Sequence, residues 1–322
     1  MLFDHLYALD KTVFPVRNSN TLYYFAFWIM YYILISAKRM ELKRFIYCED
    51  RYICNVIKIC CAMIFISMLL PSSYSSGYFE SFTGNSSRTC PVAVFVLTLI
   101  LVAVKIYKKK QYVFFSAFPL FCFFMGDSRT YLGVGLMLFL VVLYYFFENK
   151  RNFYYSLIPT ALILVLIVIS SSIMNRFINS LDYAGNSLSN YYDFWGVLTS
   201  GRFVFWMDML KAYWNTDWPH KLFGNGFHFV YTVRNFWAHN DFIQILLTFG
   251  TTGLMMYLWT IRGMVNKIMV HQYRYPRFIV ITMYLIWLVN CFFNMFYVYM
   301  CALLPFPIML IAVDGDRADI SN

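Results

Sequence analysis

Cys90-Pro-Val-Ala-Val-Phe-Val-Leu-Thr-Leu-Ile-Leu-Val-Ala-Val-Lys-Ile-Tyr107, closed by Lys108-Lys109-Lys110, decides the fold class. One charge in a long apolar run, then a basic cluster, is the pattern of a helix that crosses a bilayer and stops at its cytoplasmic face. The pattern recurs on both sides. Upstream lie apolar runs at about 21–36 and 52–70, and downstream at about 112–125, 131–147, 153–173, 239–261 and 278–313. The last is too long for one span and carries Asn290 and Asn294, so it reads as a tight hairpin. These runs predict an all-α polytopic membrane protein with about nine transmembrane helices.

Composition agrees. The chain is 61% hydrophobic and 13% charged, with a mean hydropathy of +0.57, whereas soluble domains carry about a quarter charged residues. The 34 Phe and 27 Tyr supply interfacial belts among other roles. Neither a repeat nor a second soluble domain is apparent. Residues 1–322 read as a single integral membrane domain, with 174–240 as one large loop within it. Asp4, Asp10, Lys11 and Arg17 interrupt the first twenty residues, so no cleavable leader is expected.

A net charge of +10 invites a nucleic-acid partner. The placement of the charge argues against one, because Lys and Arg fall mainly in the short breaks between apolar runs. Alternate breaks put 16 basic residues on one side and 9 on the other, with Lys58 inside a run. The richer side is cytoplasmic by the positive-inside rule. The carboxyl terminus is then inside, while Arg129 and the whole 174–240 loop face outward. The eight cysteines form no C-x-x-C pair and lie mostly in or beside spans, so buried thiols are expected rather than a disulfide framework. Zinc-ligand spacing, a Walker A loop and a G-x-S-x-G elbow are missing. The one acidic D-x-D match, Asp314-Gly315-Asp316, falls in the cytoplasmic tail. No metal and no cofactor is expected.

Chemistry concentrates in the outer loop. From Gly201 to Asn215 the spacing fits a helix, with Thr199 or Ser200 placed to cap it. Phe203, Met207, Leu210 and Trp214 share one stripe and Asp208, Lys211 and Asn215 the opposite face, as in a helix lying on a membrane surface. Arg202 stands off that polar face in the first turn, where free backbone N–H groups point. It suits an anion such as phosphate, or equally a lipid headgroup. Arg129, in a short outer turn, is either a snorkelling anchor or a second diphosphate contact. His239 has a proton affinity suited to a general base, or it is an interface residue. Asn240 and Asp241 cap the next helix or support His239. Gly224 and Gly226 read as a turn, and Gly250 and Gly253 as a close helix contact.

In order, these pieces resemble the O-antigen polymerase and O-antigen ligase family of bacterial inner membranes. Ser128-Arg129-Thr130 matches its short outer turn. Ser200-Gly201-Arg202 followed by Trp206 opens the large periplasmic loop, and Leu222 to Phe227 forms its Gly-x-Gly-aromatic element. His239-Asn240-Asp241-Phe242 leads into a run with two glycines, Gly250 and Gly253. The resemblance implies a metal-independent glycosyltransferase at the periplasmic face of the inner membrane, taking its glycan from undecaprenyl diphosphate. Arg129 and Arg202 would bind the diphosphate, His239 and Arg202 would be catalytic, and Asn240 would support His239. The implied partners are the lipid-linked oligosaccharide, membrane lipids and a chain-length regulator protein. The short, Phe/Tyr/Ile-rich chain favours the polymerase, which extends a glycan onto an incoming lipid-linked repeat unit. A ligase transferring glycan to lipid A-core is the alternative within the family. A polysaccharide transporter or flippase is the alternative outside it, though mid-membrane charges and inverted repeats are lacking.

Overall fold

Apolar runs with few β-breaking signals have one way to satisfy their backbone groups without a sheet, which is to coil. The computed structural model describes residues 39–75, 78–83, 86–126, 128–147, 149, 151–157, 202–226, 229–234, 238–269, 277–293 and 305–314, and 87% of the residues that can be described are helical. The chain divides into two units. One comprises 32–175, 268–290 and 299–322; the other comprises 1–31, 176–267 and 291–298.

In the first unit the helices are α1 (Arg39–Cys48), α2 (Asp50–Met68), α3 (Ser86–Lys105), α4 (Ala117–Met125) and α5 (Arg129–Phe146). The opening run of the sequence is the hub. α3 packs on α2, α4 and α5 and on a C-terminal helix, Pro305–Asp314. Its Leu97, Ile100, Leu101 and Ala103 are wholly buried. Lys105 does more than mark topology. Its ammonium donates to the Val313 carbonyl at 2.5 Å and lies 5.0 Å from the Tyr145 ring centroid, so it satisfies an orphan carbonyl at a helix end. The loop expected at 71–89 contains, among its described residues, two 3₁₀ turns at Pro71–Ser73 and Ser81–Thr83 and a two-residue antiparallel pair of β1 (Tyr74–Ser75) and β2 (Tyr78–Phe79).

The run at 112–125 is not one α-helix. Lys110–Ser116 winds as a 3₁₀ helix and only then passes into α4. Its looser rise lets these sixteen residues cover about 27 Å, close to a full hydrocarbon thickness. Among the described residues, Asp50–Met68 and Asp241–Trp259 are long and apolar enough to cross a membrane by length and composition alone. Thr89–Lys105, Lys110–Met125, Thr130–Phe146 and Ile281–Phe293 are shorter apolar helices at expected span positions. The runs at 21–36 and 153–173 lie largely or wholly outside the described residues.

The second unit holds α6 (Arg202–Trp214), α7 (Trp218–Phe223), α8 (Phe229–Arg234) and, as far as Lys267, α9 (Asp241–Met269). Most of α10 (Arg277–Phe293) belongs to the first unit, as does α11 (Pro305–Asp314), and 294–304 lie outside the described residues. The two helices occupy the two arms of the expected hairpin. Asn290 is buried and donates to the Ile286 carbonyl at 2.9 Å, turning its polarity inward along its own helix.

Candidate functional site

α6 forms where the sequence expects it, one residue shorter at each end. It packs on a different face, however. The buried positions are Trp206, Met209 and Tyr213, and Met209 and Tyr213 share one core with Val230, Ala238 and Leu247. The expected stripe of Phe203, Met207 and Leu210 is half-buried, and Trp214 is exposed. The reason is polar as well as apolar. Trp206 Nε1 donates to the Ala238 carbonyl at 2.6 Å, and the Tyr213 hydroxyl donates to the Lys221 carbonyl at 2.8 Å. An aromatic ring with a donor at its tip buries its body and satisfies backbone at the same time. Simple hydrophobic periodicity does not register that advantage. The cap expected at Thr199 or Ser200 lies outside the described residues.

Arg202 is half-buried at the start of α6, and its guanidinium donates to the Phe293 carbonyl at the end of α10. Four residues on, Trp206 packs edge-on against Phe292, with centroids 5.3 Å apart. The two side chains therefore work on the same neighbourhood.

His239 is brought to Arg202 across 37 positions of sequence. Burial, and then the positive charge of Arg202, hold its imidazole down to about 4 from an ordinary 6.5. It is accordingly neutral throughout the physiological range. Its backbone stands in the left-handed region at φ +47, a conformation that costs a non-glycine residue about 1 kcal/mol or more.

Three contacts hold that strained turn. The Ala238 carbonyl takes the Trp206 bond, the Ala238 N–H donates to Gln244 Oε1 at 3.3 Å, and Asn240 Oδ1 accepts from the Ile243 N–H at 3.1 Å. Asn240 is thus the cap of α9 and supports the turn around His239. Trp206 and Gln244 as positioning groups were missed in the sequence. The usable signal was spacing, since Trp206 is one turn from Arg202 and Gln244 one turn from Asn240.

Asp241 does not cap. It is fully buried, and its Oδ2 accepts from the Tyr257 hydroxyl at 3.1 Å. That hydroxyl also stands 3.2 Å from the Cys291 thiol. In a straight helix, the sixteen-position separation of Asp241 and Tyr257 would span about 24 Å. α9 therefore folds back on itself, and the continuous span expected at 239–261 is corrected to two half-helices.

The fold-back is at Gly250, with φ 70 and ψ −169. Only glycine adopts that backbone at little cost. Gly250 and Gly253 are consequently not a helix-packing pair, as the sequence suggested. Instead Gly250 meets the Gly-x-Gly turn backbone to backbone. Carbonyls freed by the break accept from that turn, Leu247 O from the Asn225 N–H at 2.9 Å and Thr248 O from the Gly226 N–H at 3.1 Å. A Cβ on Gly224 would stand 2.2 Å from Thr248 O, and one on Gly250 would stand 2.4 Å from Leu222 O. Thr251 Oγ1 completes the junction by donating to the Lys221 carbonyl at 3.2 Å.

Arg129 is the first residue of α5, in the other unit, and Ser128 Oγ caps that helix by accepting from the Tyr131 N–H. The Arg129 side chain lies outside the described residues. Among the described residues, no three His, Cys, Asp or Glu side chains converge as a metal site would require. A half-buried cation beside a neutral imidazole on a rigid turn can bind an anion and accept a proton next to it. No protein-family model, curated protein or solved structure matches the chain.

Proposed function

We propose that the chain is a polytopic membrane glycosyltransferase of the O-antigen polymerase type. It would act at the periplasmic face of a bacterial inner membrane, using an undecaprenyl-diphosphate-linked glycan as donor. The observation that carries this reading is the meeting of Arg202 with a neutral His239. The nine-span layout and the outward-facing loop are supported by the distribution of Lys and Arg.

In the proposed reaction an acceptor hydroxyl of the incoming repeat unit attacks the anomeric carbon of the growing glycan. The new C–O bond forms as the bond to the diphosphate breaks. The hydroxyl proton passes to His239 Nδ1 or Nε2, and the electron pair leaves with the lipid diphosphate. Arg202 opposes the charge that grows on that leaving group, which is the main electrostatic task. Its own field makes His239 a poor base in the empty site. A bound diphosphate offsets that field and returns part of the imidazole's proton affinity, so the base strengthens when substrate is present. Arg129 is proposed as the second diphosphate contact and Asn240 as the residue that holds the His239 turn.

Deleting the gene and resolving the surface glycolipids on a gel tests the reading. Core carrying a single repeat unit is the expected result. Bare core with accumulated lipid-linked polymer would make the protein a ligase instead, and repeat units held on the cytoplasmic leaflet would make it a flippase. Arg202→Ala and His239→Ala should each abolish elongation at unchanged protein level.

A further inference from the structure

α7 and the end of α6 carry a ridge that a loop bathed in water would not present. Trp214 is 67% exposed, Trp218 74% and Phe223 61%. The Lys221 ammonium stands over both indoles, 5.9 Å from the Trp214 centroid and 5.6 Å from that of Trp218. Indole rings alongside a lysine are the composition of the headgroup layer, where ring bodies meet acyl chains and the ammonium meets phosphate. The height of the ridge is fixed. Its backbone from Lys221 to Gly226 is bonded to Thr251, Leu247 and Thr248, the residues around the Gly250 fold-back.

The two arms of α9 differ in kind. Before Gly250, Asp241, Gln244 and Thr248 are buried polar residues. After it, Met255, Met256 and Trp259 are apolar and exposed. The second arm, 251–269, contains nineteen residues and reaches about 28 Å, the thickness of a hydrocarbon core. Arg262 is exposed toward its far end, in reach of the opposite headgroups by snorkelling.

We infer that the Trp214–Trp218–Lys221–Phe223 ridge lies among the phospholipid headgroups of the outer leaflet, so that the bilayer boundary passes through Gly250 and the Arg202–His239 site is recessed below it. This rests on the membrane reading given above. Asp241 is tied to Tyr257, seven residues past Gly250, which sets the recess at about 10 Å toward the bilayer centre. A diphosphate carried on a polyprenol can enter such a recess while its tail stays in hydrocarbon, whereas a water-soluble sugar nucleotide must leave water to do so. The inference thus selects a lipid-borne donor.

Tryptophan quenching tests it on the full chain reconstituted in phosphatidylethanolamine–phosphatidylglycerol vesicles. The phosphatidylglycerol is brominated either close to the headgroup or near the chain ends. Wild type is compared with the Trp214→Phe/Trp218→Phe double variant and with Trp259→Phe. Shallow bromines should quench a share of emission that vanishes in the double variant, and deep bromines a share that vanishes in Trp259→Phe. The inference is overturned if the double variant keeps all the shallow quenching. It is equally overturned if the emission it loses was quenched by aqueous iodide and not by lipid, as for a ridge facing water or another protein. If neither lipid quenches Trp259, the membrane reading itself fails along with it.

Discussion

Tyr257 donates to the carboxylate of Asp241 at 3.1 Å although the two stand sixteen residues apart in one apolar run. That bond and the Phe242–Tyr257 ring contact, with centroids at 6.0 Å, hold the arms of α9 together. Tyr257→Phe keeps the ring and removes the donor from a buried carboxylate. It should lower stability by about 1–3 kcal/mol, measured as a fall in thermal midpoint in detergent. An unchanged midpoint would mean the arms are held elsewhere.

The fold-back depends on two glycines that touch. Gly250→Ala and Gly224→Ala each place a methyl group against backbone oxygen, which cannot move aside as a side-chain tip would. Each should cost about 2–4 kcal/mol and reduce the folded yield. Because both break one junction, the double substitution should cost clearly less than the sum. Additive losses in thermal midpoint would argue against a shared contact.

Trp206→Phe tests the strained turn. An aromatic ring is kept near Phe292, while the bond to the Ala238 carbonyl and part of the buried indole volume are lost. A loss of about 1–2 kcal/mol is expected. On the proposed polymerase reading, chain elongation should fall more than the folded yield does, because His239 is then less firmly placed. Equal losses in the two would make Trp206 a packing residue alone.

The protonation of His239 has a signed consequence. Its affinity is depressed in the folded chain, to about 4 from 6.5. Between those values the unfolded chain binds the extra proton, so this residue's contribution to stability falls as pH drops through that window. Titration of isotopically labelled histidine, with His239→Gln identifying the signal, should find the imidazole neutral at pH 6. Arg202→Gln should move it upward, though still short of 6.5 because burial is the larger cause. Adding a short-chain polyprenyl diphosphate to the wild type in detergent should shift it in the same direction, and no shift with that lipid would remove the anion from beside His239.

Much of the helical framework was legible because it rests on composition and period. The run at 90–107 is apolar on every face and becomes the buried hub, and α6 begins and ends within a residue of its expected limits. What escaped the sequence has a common cause. The fold-back at Gly250, the inward face of α6 and the support of His239 all depend on bonds to backbone carbonyls, and a carbonyl belongs to every residue. Periodicity picked out Phe203, Met207 and Leu210 as the apolar stripe of a surface helix and gave no sign of the face packed against protein, because it weighs side-chain hydrophobicity alone. It does not see that Trp206 and Tyr213 each have a carbonyl waiting. Likewise Gly250 and Gly253 are spaced like a helix contact, and only the φ of Gly250 shows that it is a hinge between arms. The nearness of Arg202 and His239 is tertiary, and no spacing in the sequence announces it, whereas the Arg129 side chain lies outside the described residues.

The same reliance on carbonyls bears on how freely this region can drift. The groups that receive Arg202, Trp206, Tyr213, Thr251 and the Gly-x-Gly turn belong to Phe293, Ala238, Lys221, Leu247 and Thr248. Any residue at those receiving positions supplies the same oxygen, so their identities are free to change so long as volume and polarity suit the site. A saturation-mutagenesis scan of 202–257 should therefore show narrow intolerance at the few side-chain donors, at His239, Asn240 and Asp241 and at Gly224 and Gly250, set in a more permissive background. A site built in this way can keep its geometry while its sequence becomes hard to align.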